Sequence, residues 1–336
     1  MKNRKHSNIP IFLPELSCPH QCVFCDQRKI SGTLSIPNPE EISKIIERHL
    51  STMNNGREIE IAFFGGSFTG LPLKLQEAYL KAAYIFIENK KAGGIRISTR
   101  PDYINIEVLE LLKNYNVTAI ELGAQSTNDE VLLKSGRGHN YKDIIQACEL
   151  IRRYDISLGL QMMIGLPGDT IEKSIHTAED IVKLGATSTR IYPTLVVKDT
   201  ALEKLFNKKL YQPLTIQEAV NWTKEIVKIF IKNKITILRI GLHPSEELKE
   251  GCSLIAGPAH SSFKELVVTN LFNEIITKSI NDNKNGDYLI SANSRFINYA
   301  VGYKKLNKLE LEKKGIPHKF IIDNQLNDYE INVSRN

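Results

Sequence analysis

Three of the five cysteines, Cys18, Cys22 and Cys25, fall within eight residues in the spacing CxxxCxxC. Thiols this crowded on one loop suit a metal centre better than a disulfide framework. Each thiolate can bind one iron of a cubane cluster, and three ligands leave the fourth iron open. The rival is Zn2+ held by the same three thiolates with His20 or another side chain as fourth ligand. The spacing favours iron–sulfur and leaves His20 an exposed loop residue. The other cysteines read differently. Cys148 lies on a helical apolar face with Ile144, Ile145 and Ile151 and reads as core. Cys252, between His243 and His260, raises a second metal or a catalytic thiol, but it meets no metal-ligand spacing and a small buried hydrophobe is the better reading.

The elements that must position the cysteines alternate in type. Ile9 to Leu13 reads as a strand, followed by the Cys loop and a helix from Pro39 or Glu40 to about Met53, with Pro suited to the first turn. Strands at 59–64, 95–99, 118–122, 157–163 and 188–192 follow. Between them lie helices at 72–89, 106–115, 141–154 with a shorter one before it, and 171–184. Six βα units with apolar strands that lack clean alternation predict a parallel sheet, covered on both sides or curled into a barrel. In such folds ligands bind at the C-terminal strand ends. A further helix, 215–233, and strand, 235–240, lead to Gly241, where the pattern changes. The expected organisation is a core domain over 1–240 and a small α+β cap over 241–336. The cap holds a helix from Phe263 to about Ser279, a polar turn, strand-like pieces around Tyr288, Phe320 and Tyr329, and a frayed Arg335–Asn336 end.

Composition narrows the class. Over 336 residues, 42% are hydrophobic and 24% charged, which excludes a largely disordered chain. Lys2, Arg4 and Lys5 precede an apolar run that Pro14 ends too early for a signal peptide, and nothing approaches the ~18 apolar residues of a membrane helix. The expected location is the cytoplasm, away from membranes. The net charge of +6 suits a polyanion such as RNA, and a solvated Lys-rich surface gives the same total. The run Lys304, Lys305, Lys308, Lys313 and Lys314 is open to the same two readings.

CxxxCxxC with an aromatic residue before the last Cys, on a loop after the first strand of a βα series, resembles the radical SAM superfamily. The strand-end motifs that follow extend the resemblance: Gly65-Gly66-Ser67-Phe68, Thr99-Arg100-Pro101-Asp102, Glu121-Leu122-Gly123-Ala124-Gln125-Ser126, Arg137-Gly138-His139, Met163-Ile164-Gly165-Leu166-Pro167-Gly168 and Ile191-Tyr192-Pro193-Thr194. The ordered set, over roughly residues 9 to 205, is similar to the radical SAM domain of the Elongator catalytic subunit, an enzyme class that modifies wobble uridine in tRNA. The gap between the first two cysteines is shorter here, and the residues after about 240 are not expected to form that subunit's acetyltransferase domain. The tail, from Arg239-Ile240-Gly241 to Gly257-Pro258-Ala259-His260, looks like shorter bacterial relatives of that subunit.

The resemblance implies an α/β fold, a partial (β/α)6 TIM-like barrel with the small cap closing its open side. It implies a 4Fe-4S cluster on Cys18, Cys22 and Cys25, with S-adenosylmethionine (SAM) on the open iron. Reductive cleavage, with electrons from a flavodoxin or ferredoxin, would give a 5′-deoxyadenosyl radical that abstracts hydrogen. Gly65, Gly66 and Ser67 would lie against the methionine end of SAM. Glu121, Gln125 and Ser126 would line the barrel floor near ribose or substrate, and Gly165, Leu166, Pro167 and Gly168 would approach the adenine through backbone. Gln125, Arg137 and Tyr192 are the candidate catalytic residues. The bland alternatives are ion pairs of Arg100 and Arg137 with Asp102 or Glu121, and a core role for Tyr192. RNA, in particular a tRNA base, is the leading substrate. A small molecule, as in the coproporphyrinogen oxidases, and a non-enzymatic zinc-bound RNA-binding module are the alternatives.

Overall fold

The computed structural model describes residues 6–13, 22–26, 36–53, 58–242, 252–281 and 286–335. Its larger layer contains β1 (His6–Phe12), α1 (Pro39–Thr52), β2 (Glu58–Phe64), α2 (Leu73–Glu88), β3 (Gly94–Thr99), α3 (Ile106–Asn114) and β4 (Val117–Gln125). The chain continues through α4 (Asp129–Lys134), α5 (Tyr141–Arg153), β5 (Ser157–Ile164), α6 (Ile171–Lys183) and β6 (Ser188–Pro193). A short β7 (Val196–Val197) and α7 (Ala201–Asn207) precede α8 (Ile216–Lys232), β8 (Thr236–Ile240) and β9 (Leu254–Ala256). The cap elements are α9 (Phe263–Asn281), β10 (Tyr288–Ala292), α10 (Ile297–Val301), α11 (Leu306–Lys313), β11 (His318–Ile322) and β12 (Asn332–Arg335).

Local chemistry sets the helix starts. Asn38 accepts from the Glu41 amide at 2.9 Å while the Glu41 carboxylate accepts from the Asn38 N–H at 2.8 Å, which closes a capping box ahead of α1. Asn140 and Thr215 do the same for α5 and α8, and Asn105, Asn128, Thr170 and Thr200 cap α3, α4, α6 and α7.

The seven-stranded sheet has the order β1-β2-β3-β4-β5-β6-β8, all parallel. Spatial order follows chain order with no reversal, so successive right-handed crossovers put the helices on one face and the sheet curls into a half-barrel. Period-two alternation sends Ile61 and Phe63, Ile95 and Ile97, Ile120 and Leu122, and Leu158 and Leu160 into the core beneath the helices. The expected six-strand barrel is extended by one strand, because Thr236 to Ile240 pairs with β6 at Ser188↔Thr236 through Ile191↔Ile240.

The cap is α+β, with a three-stranded sheet of order β11-β10-β12 in which β10 pairs parallel to β11 and antiparallel to β12. Two expectations here are corrected. The last strand starts at Asn332 rather than around Tyr329, which stands at φ 63 and sets its ring 4.6 Å from that of Phe296 in a tilted contact. Arg335 is paired with Tyr288 instead of fraying, since β10 needs a partner on that edge; Asn336 lies outside the described residues. The pairing of β7 with β9 was not legible in two-residue and three-residue stretches. One cluster of buried side chains runs from Ile9 in the sheet to Leu311 in the cap. No helix is long and apolar enough to cross a membrane.

Candidate active site at the strand ends

The Cys loop is tied down on both sides. The Cys25 amide donates to the Cys22 carbonyl at 3.0 Å, so the CxxC segment is a tight turn. Between its ends, the Val23 amide donates to Ser135 O at 3.0 Å and its carbonyl accepts from Leu202 N at 2.7 Å. Cys22 and Phe24 are buried among Val131, Met163, Leu166 and Tyr211, with Tyr192 packed at the edge of the group. Cys18 and His20 lie outside the described residues, as does His243. Cys148 is fully buried, and burial pushes its thiol up to about 12. Cys252 is exposed, which departs from the buried reading and leaves it no core role.

Arg137 reaches the same turn from the other side. Its Nη1 donates to Cys22 Sγ at 3.1 Å and its Nη2 to Gly123 O at 2.6 Å. It pairs with neither Asp102 nor Glu121 among the described residues. Arg100 does pair with Asp102, through two bonds of 2.9 Å, and its Nη2 also donates to Arg137 O at 2.6 Å. Buried His139 stands beside both guanidiniums; burial, then Arg137 and Arg100, drive its imidazole down to about 3, so it is neutral at ordinary pH.

Strand β4 runs three residues beyond the expected Leu122 and carries the Glu121 to Gln125 motif inside the strand. Gln125 ends it at φ 67, a left-handed conformation that costs a non-glycine residue about 1 to 3 kcal/mol. The strain turns its amide toward Gln161, whose Nε2 donates to Gln125 Oε1 at 3.1 Å. Gly123 makes the approach workable: a Cβ there would stand 3.0 Å from both Arg137 Nη2 and Gln125 Nε2. Ser126 is buried and shares a hydroxyl cluster with Thr177, 3.3 Å away.

Gly65, at φ +104, lies against the end of β1: a Cβ there would stand 3.3 Å from Leu13 N, immediately before the Cys loop. Gly66 and buried Ser67 continue into a turn that Thr69 locks to β3 through Thr99, with hydroxyl oxygens 2.6 Å apart. At the end of β5, Gly165, Leu166, Pro167 and Gly168 line a cavity of about 460 Å³ with Tyr211 and Trp222. The Tyr211 hydroxyl donates to Gly165 O at 2.6 Å, and Asp169 closes the loop by accepting from Gly165 N at 2.9 Å.

Below the strand ends, on the face away from the helices, a ladder of charge crosses the sheet. Glu60 on β2 meets Arg96 on β3 at 2.8 Å, and Arg96 meets Glu121 on β4 at 3.2 Å. Arg190 on β6 grips the same Glu121 carboxylate through Nε and Nη2. Gly159 on the intervening β5 keeps the way clear, since a Cβ there would stand 3.1 Å from Glu121 Cγ. Burial pushes the Glu60 carboxyl up, but Arg96 with hydrogen bonds from Thr118 and His6 holds it below its ordinary value. Tyr192 is half-buried next to Arg190; burial raises its phenol and keeps it protonated. Glu60, Arg96, Gly159 and Arg190 were missed in the sequence. Charges at the middle of otherwise apolar strands were the signal.

A parallel half-barrel with a cysteine turn, paired glycines and a strained glutamine at its C-terminal strand ends is the layout of an α/β enzyme that holds its cofactor at that rim. Residues 16–181 match the family model of the radical SAM superfamily, and residues 186–273 that of the Radical_SAM C-terminal domain. An uncharacterized protein of Methanocaldococcus jannaschii is 32% identical over 225 residues, 63% of this chain and 68% of that one. The tRNA uridine(34) acetyltransferase of Dehalococcoides mccartyi is 23% identical over 239 residues, 61% of this chain and 52% of that one. The archaeal Methanocaldococcus infernus Elp3, with an N-terminal deletion, aligns at a TM-score of 0.63 and 20% identity over 84% of this chain and 64% of that one. This chain belongs to the radical SAM superfamily and is a radical SAM enzyme. It spans about half the length of the acetyltransferase it matches.

Members of the superfamily bind a 4Fe-4S cluster and SAM. The residues present fit that pair. Cys22 Sγ accepts from a guanidinium, the kind of contact an anionic metal-bound sulfur uses. Arg137 Nε, buried beside it, has no hydrogen-bond partner among the described residues and suits an anionic group bound there.

Proposed function

We propose that this enzyme acts on RNA, with a tRNA base as its target. The observation that carries the reading is the run of strand-end residues converging on the Cys22–Cys25 turn, together with the likeness to a tRNA uridine(34) acetyltransferase. When bound, the cluster and SAM supply a 5′-deoxyadenosyl radical for hydrogen abstraction, with electrons from a flavodoxin or ferredoxin.

The chain's own residues divide the remaining work. Cys18, Cys22 and Cys25 would hold the cluster, with His20 left out of the ligand set. Arg137 fixes the Cys22 side of the turn and offers its Nε to an anion. Gly65, Gly66 and Ser67 give a bare ledge beside Leu13 for the methionine end of SAM. Gly165, Leu166, Pro167 and Gly168 form the adenine edge, kept in shape by Asp169 and Tyr211. Gln125, turned inward by its strained φ, presents an amide toward ribose or substrate, with Ser126 behind it. Glu121 holds the floor through Arg96 and Arg190, and Tyr192 borders the substrate space. The cap over 241–336 closes the open side of the half-barrel and keeps water from the radical.

Anaerobic reconstitution with iron, sulfide, dithionite and SAM should yield 5′-deoxyadenosine. An intact cluster with none formed would sink the cleavage reading. Nucleosides in tRNA from wild-type and deletion strains should differ by at least one modification; identical profiles would sink the tRNA reading.

A further inference from the structure

The cap contains a backbone anomaly that neither packing nor the cluster chemistry uses. Lys304 and Lys305 stand in succession at φ 51 and φ 62, with one residue, Tyr303, between them and Gly302 at φ 93. Other non-glycine residues with positive φ occur singly among the described residues, several of them just past a helix end, at Lys90, Asn116, Asp155 and Lys234. Two adjacent left-handed lysines cost about 1 to 3 kcal/mol each where glycine or asparagine would cost less. The surroundings enforce them. Buried Asn307 donates to Thr269 O at 3.2 Å and to Ala300 O at 3.0 Å, the Tyr303 amide donates to Thr269 Oγ1 at 2.8 Å, and a Cβ at Gly302 would strike Asn307 N at 2.8 Å.

The turn presents cations rather than neutralising them. Lys308 and Lys314 are each paired with an acid on the same segment, Glu312 at 3.6 Å and Glu310 at 2.6 Å. Lys304 and Lys305 are exposed, with no ion pair among the described residues, and Lys304 Nζ lies 5.4 Å over the Tyr303 ring. Tyr303 in turn meets His260 edge-on at 5.6 Å. His260 follows β9, which pairs with β7 three residues past Pro193 at the end of β6. One ring contact, one strand pairing and two short chain links lead from the basic turn to the end of β6.

We propose that the Tyr303-Lys304-Lys305 turn is a docking point for the phosphate backbone of an RNA substrate, with Tyr303 as a stacking surface for a base. Two exposed ammonium groups with no carboxylate partner among the described residues, beside an aromatic ring, fit a nucleic-acid strand, which offers phosphates and π-faces. The inference rests on the RNA reading above and adds the surface that holds the strand.

The test is fluorescence anisotropy of a labelled, unmodified tRNA transcript against the full chain, over a range of salt. K304Q/K305Q should bind roughly tenfold more weakly at low salt, and its salt slope should fall by about 0.7 to 0.9 per lysine lost. K308Q/K314Q, which removes as much charge from the same segment, should stay within about twofold of wild type. Wild-type affinity in K304Q/K305Q, or an equal loss in both double variants, overturns the docking point while leaving the RNA reading standing. No tRNA binding by the wild-type chain overturns both. Unchanged thermal melting of both variants guards against misfolding, and Y303L, expected to weaken binding without changing the salt slope, tests the stacking surface separately.

Discussion

The half-barrel and the cap solve opposite problems. In the half-barrel seven parallel strands lie in chain order, and Glu60, Arg96, Glu121 and Arg190 on the open face are matched to one another within the sheet. In the cap the strand order is mixed and charges face outward, some tied across the junction, as where Glu274 of α9 meets Lys224 at 2.7 Å and Lys228 at 2.6 Å on α8. The half-barrel is built to hold groups still at its strand ends. The cap carries more of its charge toward solvent.

The largest effect expected from this contrast lies at the Cys turn. C25A should abolish the visible absorption of the reconstituted cluster and all 5′-deoxyadenosine formation, with the melting temperature close to wild type, because Cys25 is only half-buried. C148A should keep the cluster and lose about 0.5 to 1.5 kcal/mol of stability, the range for removing one buried methyl-sized group. A cluster that assembles at full occupancy in C25A would break the assignment of chemistry to the strand ends.

The next test sets the two kinds of ion pair against each other. E121Q leaves Arg96 and Arg190 buried without their shared carboxylate and should cost about 3 to 5 kcal/mol by urea denaturation. E274Q removes pairs at the wetter α8–α9 junction and should cost about 0 to 1 kcal/mol. Equal losses would mean that water screens the ladder as well as it screens the junction.

The same contrast explains what could be read from the chain. Strands such as Ile59 to Phe64 and helices capped by Asn or Thr carry their signal within a few residues, so the half-barrel, its order and the strand-end motifs were legible. The contact between Arg137 and Cys22 joins residues far apart in the chain, and no local pattern encodes it. The run from Ile297 to Lys313 was missed because α10 has only five residues and the turn after it depends on Asn307 and Thr269, which the fold brings together. The seventh strand was seen as a strand, but its place beside β6 is a pairing choice that only the folded sheet makes.

The smallest effect concerns the adenine-edge loop, where the half-barrel departs from its own rule of paired charge. Asp169 has three hydrogen-bond donors, Gly165 N, Thr170 N and Ser174 Oγ, at 2.8 to 2.9 Å, and burial pushes its carboxyl up to about 6 in spite of them. A carboxyl raised on folding binds its proton more tightly in the folded chain than in the unfolded one. Its contribution is therefore fully present below about pH 4 and is lost as the pH rises through 6. Other carboxylates such as Glu60, held below its ordinary value, work in the opposite direction as acid is added, so total stability against pH cannot isolate Asp169. The difference between wild type and D169N can, because Asn does not titrate. Measured by urea midpoint, that difference should change between pH 4 and 6 in favour of wild type at the acid end, and be flat above pH 7. A difference constant across the whole range would mean that Asp169 is as well solvated as a surface acid, and that the loop is held by backbone geometry alone.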